Sequence, residues 1–443
     1  MAKKRIIILG AGISGLSLAW YLSLQDKDQE IVLIEKQEAP GGLMQTVEDS
    51  RFLFEKGARI FKTSTSKELL SLALDIGMEK DLISSPSDAH CKYIFQKGKM
   101  IKVPSTIFSF FASQVTRPLL RSLCSEWKKP ASIHKDESIY AFIARRFHPE
   151  VAERLFDPLT VGIYAGDIRS LSIRSCFPSL KKWEEEYGSI TKGFIAARKN
   201  RKKEELLFPH HSLFSFKRGI SSFLHKLAER FPIEYSQEVQ KISFANDCIS
   251  VYGSDRRWEA DALFFATPSY VSAHLLRDHV PDVAESLLQI PYASLTVVNV
   301  GFDREVLPFK AFGYLIPYGD EVLGTIFDSQ VFPQQNRSVE ETRLTMMLRH
   351  QSTSDKDIQK MVRKLLEKHV QIQKEPSSMH ITEAKRCLPQ QVVGHEERIG
   401  ALLSTMQRQL PGCFLAGNYL FGVSVNDCIR RSKQVAGQWA SIL

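Results

Sequence analysis

An α/β fold is predicted for this chain of 443 residues by three features that fall together near its start. A β-branched run at residues 5–9 stops abruptly at glycine. Gly10, Gly12 and Gly15 then open a stretch in which Ile13, Leu16, Ala19 and Trp20 recur at helical spacing. A second apolar run at residues 30–34 delivers Glu35, which lies 20 residues beyond Gly15.

The first run reads as a buried strand. It is not the core of a secretory signal, because three glycines cut it and no small-residue cleavage site follows. Each glycine has a mechanical reason: the first for the tight turn out of the strand, the second for close approach of a pyrophosphate, the third for close packing of helix on sheet. The N–H groups and positive dipole end at the helix start suit phosphate. A carboxylate at the end of the second strand suits a ribose hydroxyl. The bland alternative is a glycine-rich turn with no ligand. Beyond Glu35 and Lys36 a second glycine pair arrives at Gly41 and Gly42. This acid-then-GG pattern resembles the dinucleotide motif of FAD-containing oxidoreductases, and favours FAD over NAD.

Further along, residues 51–61 (RFLFEKGARIF) read as an apolar hairpin-like segment and 67–76 as a helix. Residues 92–103 alternate around a KGK turn, as in a hairpin. Residues 106–123 carry Ile107, Phe108, Phe110, Phe111, Val115, Leu119, Leu120 and Leu123 on a helical pattern with Arg117 and Arg121. That stretch reads either as a helix packed on the core or as one lying in a membrane interface. Residues 135–230 read as helices with breaks at prolines 149, 158, 178, 209 and 232. Among them, Lys192, Arg198, Lys199, Arg201, Lys202 and Lys203 form a basic stretch, read as a solvated loop or as a docking site for an anionic partner.

Short strands are predicted at 233–235, 238–244, 248–252 and 258–260. The run at 261–266 should return the chain to the first sheet. Strands at 295–302, 312–317 and 321–327 are predicted for a separate sheet, followed by helices at 339–350 and 355–370. The last segment, CFLAGNYLFGVSVNDCIRRSKQVAGQW, predicts a strand at 413–416, a loop from Gly417, and a final helix capped by Asn426 or Asp427.

Fifty-nine Lys and Arg against 50 Asp and Glu leave a net charge of +9, which favours anionic partners. No nucleic-acid motif accompanies it, so DNA and RNA are not expected. Seven scattered cysteines suit a reducing compartment. No apolar run approaches the ~20 residues of a membrane span, so no crossing of a bilayer is expected.

Several segments together resemble the flavin-dependent protoporphyrinogen oxidases, including the related bacterial coproporphyrinogen oxidases. They are GAGISGL at 10–16, GGLMQT at 41–46, KGARIF at 56–61, DPLTVGIYAGDIRSLS at 157–172 with EEEYGSI at 184–190, ADALFFATP at 260–268, LPQQVVGH at 388–395 and LAGNYLFGVSVNDCI at 415–429. The resemblance spans nearly the whole chain.

It implies a Rossmann-type FAD-binding domain at residues 1–75, 211–275 and 386–443, a helical domain with potential for membrane association at 90–210, and a mixed-sheet substrate domain at 76–89 and 276–385. Implied FAD contacts are Gly10, Ala11, Gly12, Ile13, Ser14 and Gly15 at the pyrophosphate and Glu35 with Lys36 at the ribose. Gly42, Gly57, Ala58, Arg59 and Ile60 fall near the flavin, Val239 at the adenine, and Gly417, Val423, Ser424 and Val425 at the flavin's other end. Four positions depart from the family pattern: Ala58 where proline is common, Ile60 where threonine is, Gln391 where tyrosine is, and Lys92 where an arginine often meets a substrate carboxylate.

The implied reaction takes a porphyrinogen to a porphyrin by hydride transfer to the flavin, with O2 as electron acceptor. Protoporphyrinogen IX is the substrate read first and coproporphyrinogen III the alternative. Lys92, Lys102 and Arg59 are the candidate cations for an anionic substrate rim. No catalytic side chain and no metal site is expected. A cytoplasmic protein, peripheral on the inner membrane face, would suit the chemistry, and a homodimer is one assembly the resemblance allows. Two rivals stay open: an amine-oxidase-like enzyme acting on an amine or carotenoid, and a basic flavin-binding scaffold without activity.

Overall fold

The computed structural model describes residues 3–25, 28–104, 117–199, 213–245, 248–350 and 352–442. Its first sheet has five parallel strands in the order Ile233–Glu234, Gln29–Ile34, Lys4–Leu9, Ala262–Phe265, Cys413–Leu415. The return of the chain at Ala262–Phe265 is as expected: Leu9 pairs with Ile34 on one side and Phe265 on the other. Such a strand is covered on both faces, which is why it reads as an unbroken apolar run. Ile6 and Ile8 pack toward helices Ile13–Ser23 and Val425–Ala440, while Ile7 and Leu9 pack toward Leu275, Leu276 and Leu402. A three-stranded antiparallel sheet, Lys241–Ala245, Cys248–Tyr252 and Arg257–Ala260, fills the crossover before Ala262.

The second large sheet has seven strands in the order Ser378–Pro389, Tyr292–Phe302, Thr342–Arg349, Val322–Ile326, Gly313–Leu315, Lys92–Gln96, Lys99–Lys102. Helix Asp355–Val370 covers one face through Ile358, Val362, Leu366 and Val370. The expected helix at 339–350 is a strand instead. Its leucine and methionine content favours helix, but Leu344, Met346 and Leu348 alternate into the core under helix Asp355–Val370, and both strand edges are paired. Tertiary pairing overrides propensity there. The 12-residue strand Ser378–Pro389 was not anticipated, because its Glu383-Ala384-Lys385-Arg386 centre favours helix. It forms by pairing along Tyr292–Phe302, with a register shift between Ala293 and Leu295.

The region after residue 116 is helical: Arg117–Glu126, Ile139–Arg146, Asp157–Tyr164, Pro178–Tyr187 and Ile190–Lys199 are its longer elements. Most of the predicted 106–123 stretch lies outside the described residues, as does the end of the basic stretch beyond Lys199. Charges hold these helices together. Glu126 is fully buried; it accepts from Ser189 Oγ at 2.6 Å and Ile190 N at 2.9 Å, so it caps helix Ile190–Lys199 from a distance. It also accepts from Arg146 Nε at 2.9 Å, and Arg146 donates onward to Lys129 O at 2.9 Å and Gly188 O at 3.0 Å. Burial pushes the Glu126 carboxyl up, but Ser189, Arg146 and the Ile190 N–H together hold it below its ordinary value. No helix among the described residues is long and apolar enough to cross a membrane.

Candidate cofactor and substrate site

Parallel pairing sends the loops after Leu9, Ile34, Phe265 and Leu415 to one edge of the first sheet. There Gly12 takes the N-cap position of helix Ile13–Ser23 with φ −75, and the first N–H groups of that helix have no partner within it. A Cβ on Gly12 would meet nothing within 4 Å, whereas one on Gly15 would stand 1.9 Å from Gly10 O. The two glycines do different work: Gly15 lets helix and strand touch, and Gly12 leaves a cradle open. The buried Glu35 closes one side of it, accepting from Ala11 N at 2.7 Å and Gln37 N at 2.9 Å. Lys36 is exposed, 3.9 Å from Glu238.

The glycine pair packs directly on this loop. Gly41 bridges Gly12, and its N donates to Ala11 O at 2.9 Å. Gly41 is held at φ +122, and its Cβ would fall 2.6 Å from Met44 O. Gly57 approaches so closely that a Cβ would be 2.3 Å from Leu43 O, which brings Ala58, Arg59 and Ile60 to the same edge. Arg59 is 7% exposed: Nε donates to Asp328 Oδ1 at 2.7 Å, Nη1 donates to Gly57 O at 3.1 Å, and Nη2 is buried with no partner. Val239 sits in a loop strapped to the acid through Gln237 N to Glu35 O at 3.0 Å.

At the other end, Gly417 follows strand Cys413–Leu415, and the chain reaches helix Val425–Ala440 through Val423 and Ser424. The cap is Ser424, neither Asn426 nor Asp427: Ser424 Oγ accepts from Asp427 N at 3.1 Å and donates to Asp427 Oδ2 at 2.6 Å. Asn426 serves a different helix, its Oδ1 accepting from Glu68 N at 2.9 Å where Ser66 makes no side-chain cap to Lys67–Asp75. Sequence spacing alone could not separate these, since all three residues favour caps. Ser432 Oγ donates to Ser14 O at 2.8 Å, so the two helices whose starts open at this edge are bonded to each other.

Gln391 is wholly buried where the family pattern has tyrosine. Its backbone O accepts from Ser172 N at 2.9 Å, and its amide, oriented to satisfy both ends, accepts from Gly422 N at 2.9 Å and donates to Ser175 O at 3.3 Å. The departure thus stitches the helical region to the loop before the last helix.

The two candidate lysines do not come together. Lys102 stands opposite Tyr93 in the hairpin and so shares its face, whereas Lys92, one residue earlier, points to the other. Tyr93 and Phe95 lie in the core under helix Asp355–Val370. Lys92 therefore occupies the face that also carries Leu315, which meets Gly162 of helix Asp157–Tyr164. Lys92 Nζ lies 5.0 Å from the centroid of Phe312. Burial, and then Lys62, push its ammonium below the ordinary value. Sequence reasoning missed Lys62, Asp328 and the buried Glu55. Glu55 accepts from Ile220 N at 2.8 Å and Thr46 Oγ1 at 2.9 Å, and a lone acid in FLFEKG carries no signal of such partners.

The edge has an open glycine cradle, an acid aimed beside it, one uncapped helix start at Gly12, a second helix start capped by Ser424, and an unpaired Arg59 Nη2. A dinucleotide with an anionic middle fits these groups, and together with the sheet order they define a protein of the dinucleotide-binding class. Over residues 13–438 the chain matches the flavin containing amine oxidoreductases, and it belongs to that family; its cofactor is FAD. It is 28% identical to protoporphyrinogen oxidase of Bos taurus, with 98% of each chain covered, and 26% identical to coproporphyrinogen III oxidase of Staphylococcus aureus, also with 98% of each. Among solved structures, a chain from Exiguobacterium sp. 255-15 provisionally called protoporphyrinogen oxidase matches with a TM-score of 0.85 over 100% of both chains at 23% identity. Cyclohexylamine oxidase from Brevibacterium oxydans IH-35A matches at 0.70 over 99% of both, at 14%. These likenesses show the fold.

Two outcomes test this site. Gly12→Val should fold with a melting temperature near that of FAD-free wild type yet hold less than about a tenth of the FAD, its side chain filling the cradle. Gly15→Ala should instead destabilise the protein by roughly 2 kcal/mol or more, because backbone must move. Flavin content and thermal melts of both variants check this, and normal FAD occupancy in Gly12→Val contradicts the cradle. For Glu55, burial pushes the carboxyl up to about 7 against the Ile220 N–H, the Thr46 hydroxyl and Arg59. The folded state then holds the proton more tightly, so the stabilising contribution is complete below the ordinary 4.5 and is lost as pH rises through about 7. The melting temperature of wild type minus that of Glu55→Gln should grow on acidification from about pH 8 to about pH 5; a flat difference refutes the shift.

Proposed function

We propose that this chain oxidises a porphyrinogen to the porphyrin in haem biosynthesis, with protoporphyrinogen IX as substrate and O2 as electron acceptor. The observation that supports it most is the end-to-end match to protoporphyrinogen and coproporphyrinogen III oxidases. Coproporphyrinogen III stands as the second reading, because relatives of both names match at similar identity.

Bound FAD supplies hydride acceptance at the flavin ring and its own reoxidation. The residues of the chain do the rest. Gly10 to Gly15, Glu35 and the Gly57 to Ile60 segment would hold the dinucleotide along the sheet edge, with Val239 beside the adenine and Gly417 and Val423 to Val425 at the flavin end. Helix Asp157–Tyr164 packs on the strands carrying Leu315 and Leu323 through Val161 and Gly162, and on its other face Leu159 and Ile163 lie one turn apart, 39% and 44% exposed. They would give a flat macrocycle an apolar wall and exclude water from it. Lys92, on that side of the sheet, would take a rim carboxylate. Peripheral attachment to a membrane is also proposed, supported by exposed Phe194 and Ile195 beside Lys192, Arg198 and Lys199 on one helix.

Anaerobic mixing tests the reaction. The bound flavin should bleach on adding protoporphyrinogen IX, more slowly on adding coproporphyrinogen III, and not with a primary amine; bleaching by the amine alone defeats the proposal. Fractionation tests the attachment. Activity should sediment with membranes at low ionic strength and be released by salt, and full recovery in the low-salt soluble fraction would rule attachment out.

A further inference from the structure

We propose that Asp328 is a positioning residue for the cofactor: it fixes the Arg59 guanidinium so that its free Nη2 donates to bound FAD. The inference rests on the flavin assignment and not on the choice of porphyrinogen.

A guanidinium is planar, so bonds at two of its nitrogens fix the direction of the third. Arg59 Nε is held by Asp328 Oδ1 at 2.7 Å and Nη1 by Gly57 O at 3.1 Å, leaving buried Nη2 unpartnered. Burying an unpaired donor of a charged group is unfavourable, so a partner arriving on binding accounts for it. The segment carrying Arg59 is pressed onto Leu43, next to the glycine pair that bridges Gly12, so this donor belongs to the wall of the dinucleotide cradle. FAD brings carbonyl, ring-nitrogen and phosphate acceptors.

Asp328 belongs to the other large sheet's side of the molecule. It begins the short helix Asp328–Val331, just after strand Val322–Ile326. Its other oxygen accepts from Thr345 Oγ1 at 2.6 Å, Thr345 Oγ1 accepts from Asn299 Nδ2 at 2.8 Å, and Asn299 Nδ2 also donates to Glu55 O at 3.1 Å. The chain of bonds leaves the cofactor-side hairpin at Glu55, crosses two strands of the seven-stranded sheet and returns at Arg59. It is rigid at every link, since each member is buried. The aim of Arg59 is therefore set by the seven-stranded sheet, although Arg59 itself lies on the cofactor side.

The test measures FAD affinity of the apoprotein by flavin fluorescence, together with the visible circular dichroism of the bound flavin. Asp328→Asn should raise the FAD dissociation constant about tenfold and change the flavin bands, Asp328→Glu should recover part of the affinity, and Thr345→Val should weaken binding about threefold. Glu341→Gln, which loosens the neighbouring Arg343–Glu341 pair of 2.9 Å, should leave FAD affinity within about twofold of wild type. Wild-type affinity and flavin bands in Asp328→Asn overturn the proposal, as does equal weakening by Glu341→Gln, which would mark general loosening. If Asp328→Asn does not fold, Thr345→Val decides on the same readouts. A wild-type protein that binds FAD in this way yet oxidises no porphyrinogen would defeat the proposed function and leave this inference standing.

Discussion

The architecture depends on a contact between two stretches of backbone. Helix Ile13–Ser23 lies so close to the end of strand Lys4–Leu9 that a methyl group at Gly15 would overlap Gly10 O. That closeness lets the chain turn within one residue pair and start a helix with its N–H groups at the sheet edge. Ala11 N is taken by Glu35, which joins the second strand to the loop and leaves the remaining amides open. Parallel order then does the gathering, because every strand of the first sheet ends at the same edge. A second helix start, at Val425, arrives there and is bonded through Ser432 to Ser14. A helix start carries about half a positive charge, and that of Ile13–Ser23, with no acid in its first turn, favours an anionic ligand before any cation is counted.

Much of the first sheet was legible because its signals are local. Gly10 to Gly15, Glu35 and the glycine pair lie within about a βαβ unit, where turn chemistry and strand pattern are read over a few residues. The second sheet was legible only in part. Strand Thr342–Arg349 reads as helix because its Leu and Met suit either element, and pairing on both edges, which decides it, comes from residues 292–302 and 322–326. The caps show the same limit: Ser424, Asn426 and Asp427 are equivalent in composition, and only the arrival of helix Lys67–Asp75 assigns Asn426 its task. Lys92 and Lys102 were both plausible cations until the hairpin register placed them on opposite faces.

The interior holds more charge than a hydrophobic core needs. Arg59 with Asp328, Arg343 with Glu341, and Arg146 with Glu126 are buried pairs. Such pairs are weak sources of net stability, since desolvation of both ions offsets their attraction. Two of them join segments far apart in sequence: Asp328 ties the seven-stranded sheet to the cofactor-side hairpin, and Glu126 ties three helices. Our hypothesis is that they fix which surfaces meet, as apolar contact alone tolerates sliding. An apolar pair swapped for Arg59 and Asp328 that preserved stability and the packing between the hairpin and the seven-stranded sheet would tell against it.

Within the proposed reaction, discrimination between the two porphyrinogens falls to the rim of the substrate. The oxidised centre of the macrocycle is the same in both, so apolar walls such as Leu159 and Ile163 cannot separate them, and a methylene more or less in such a wall separates ligands only weakly. What differs is the number of carboxylates, and that is read by charge. Lys92 lies on the face toward helix Asp157–Tyr164, and the cation acting on it is Lys62, three residues beyond Arg59 on the cofactor side. Neither has an acidic partner among the described residues, and Lys62 adds to burial in lowering the preference of Lys92 for a proton. A lysine takes a carboxylate as a point charge without the two-pronged geometry of arginine, so two lysines fed from opposite sides accept acidic groups at variable positions.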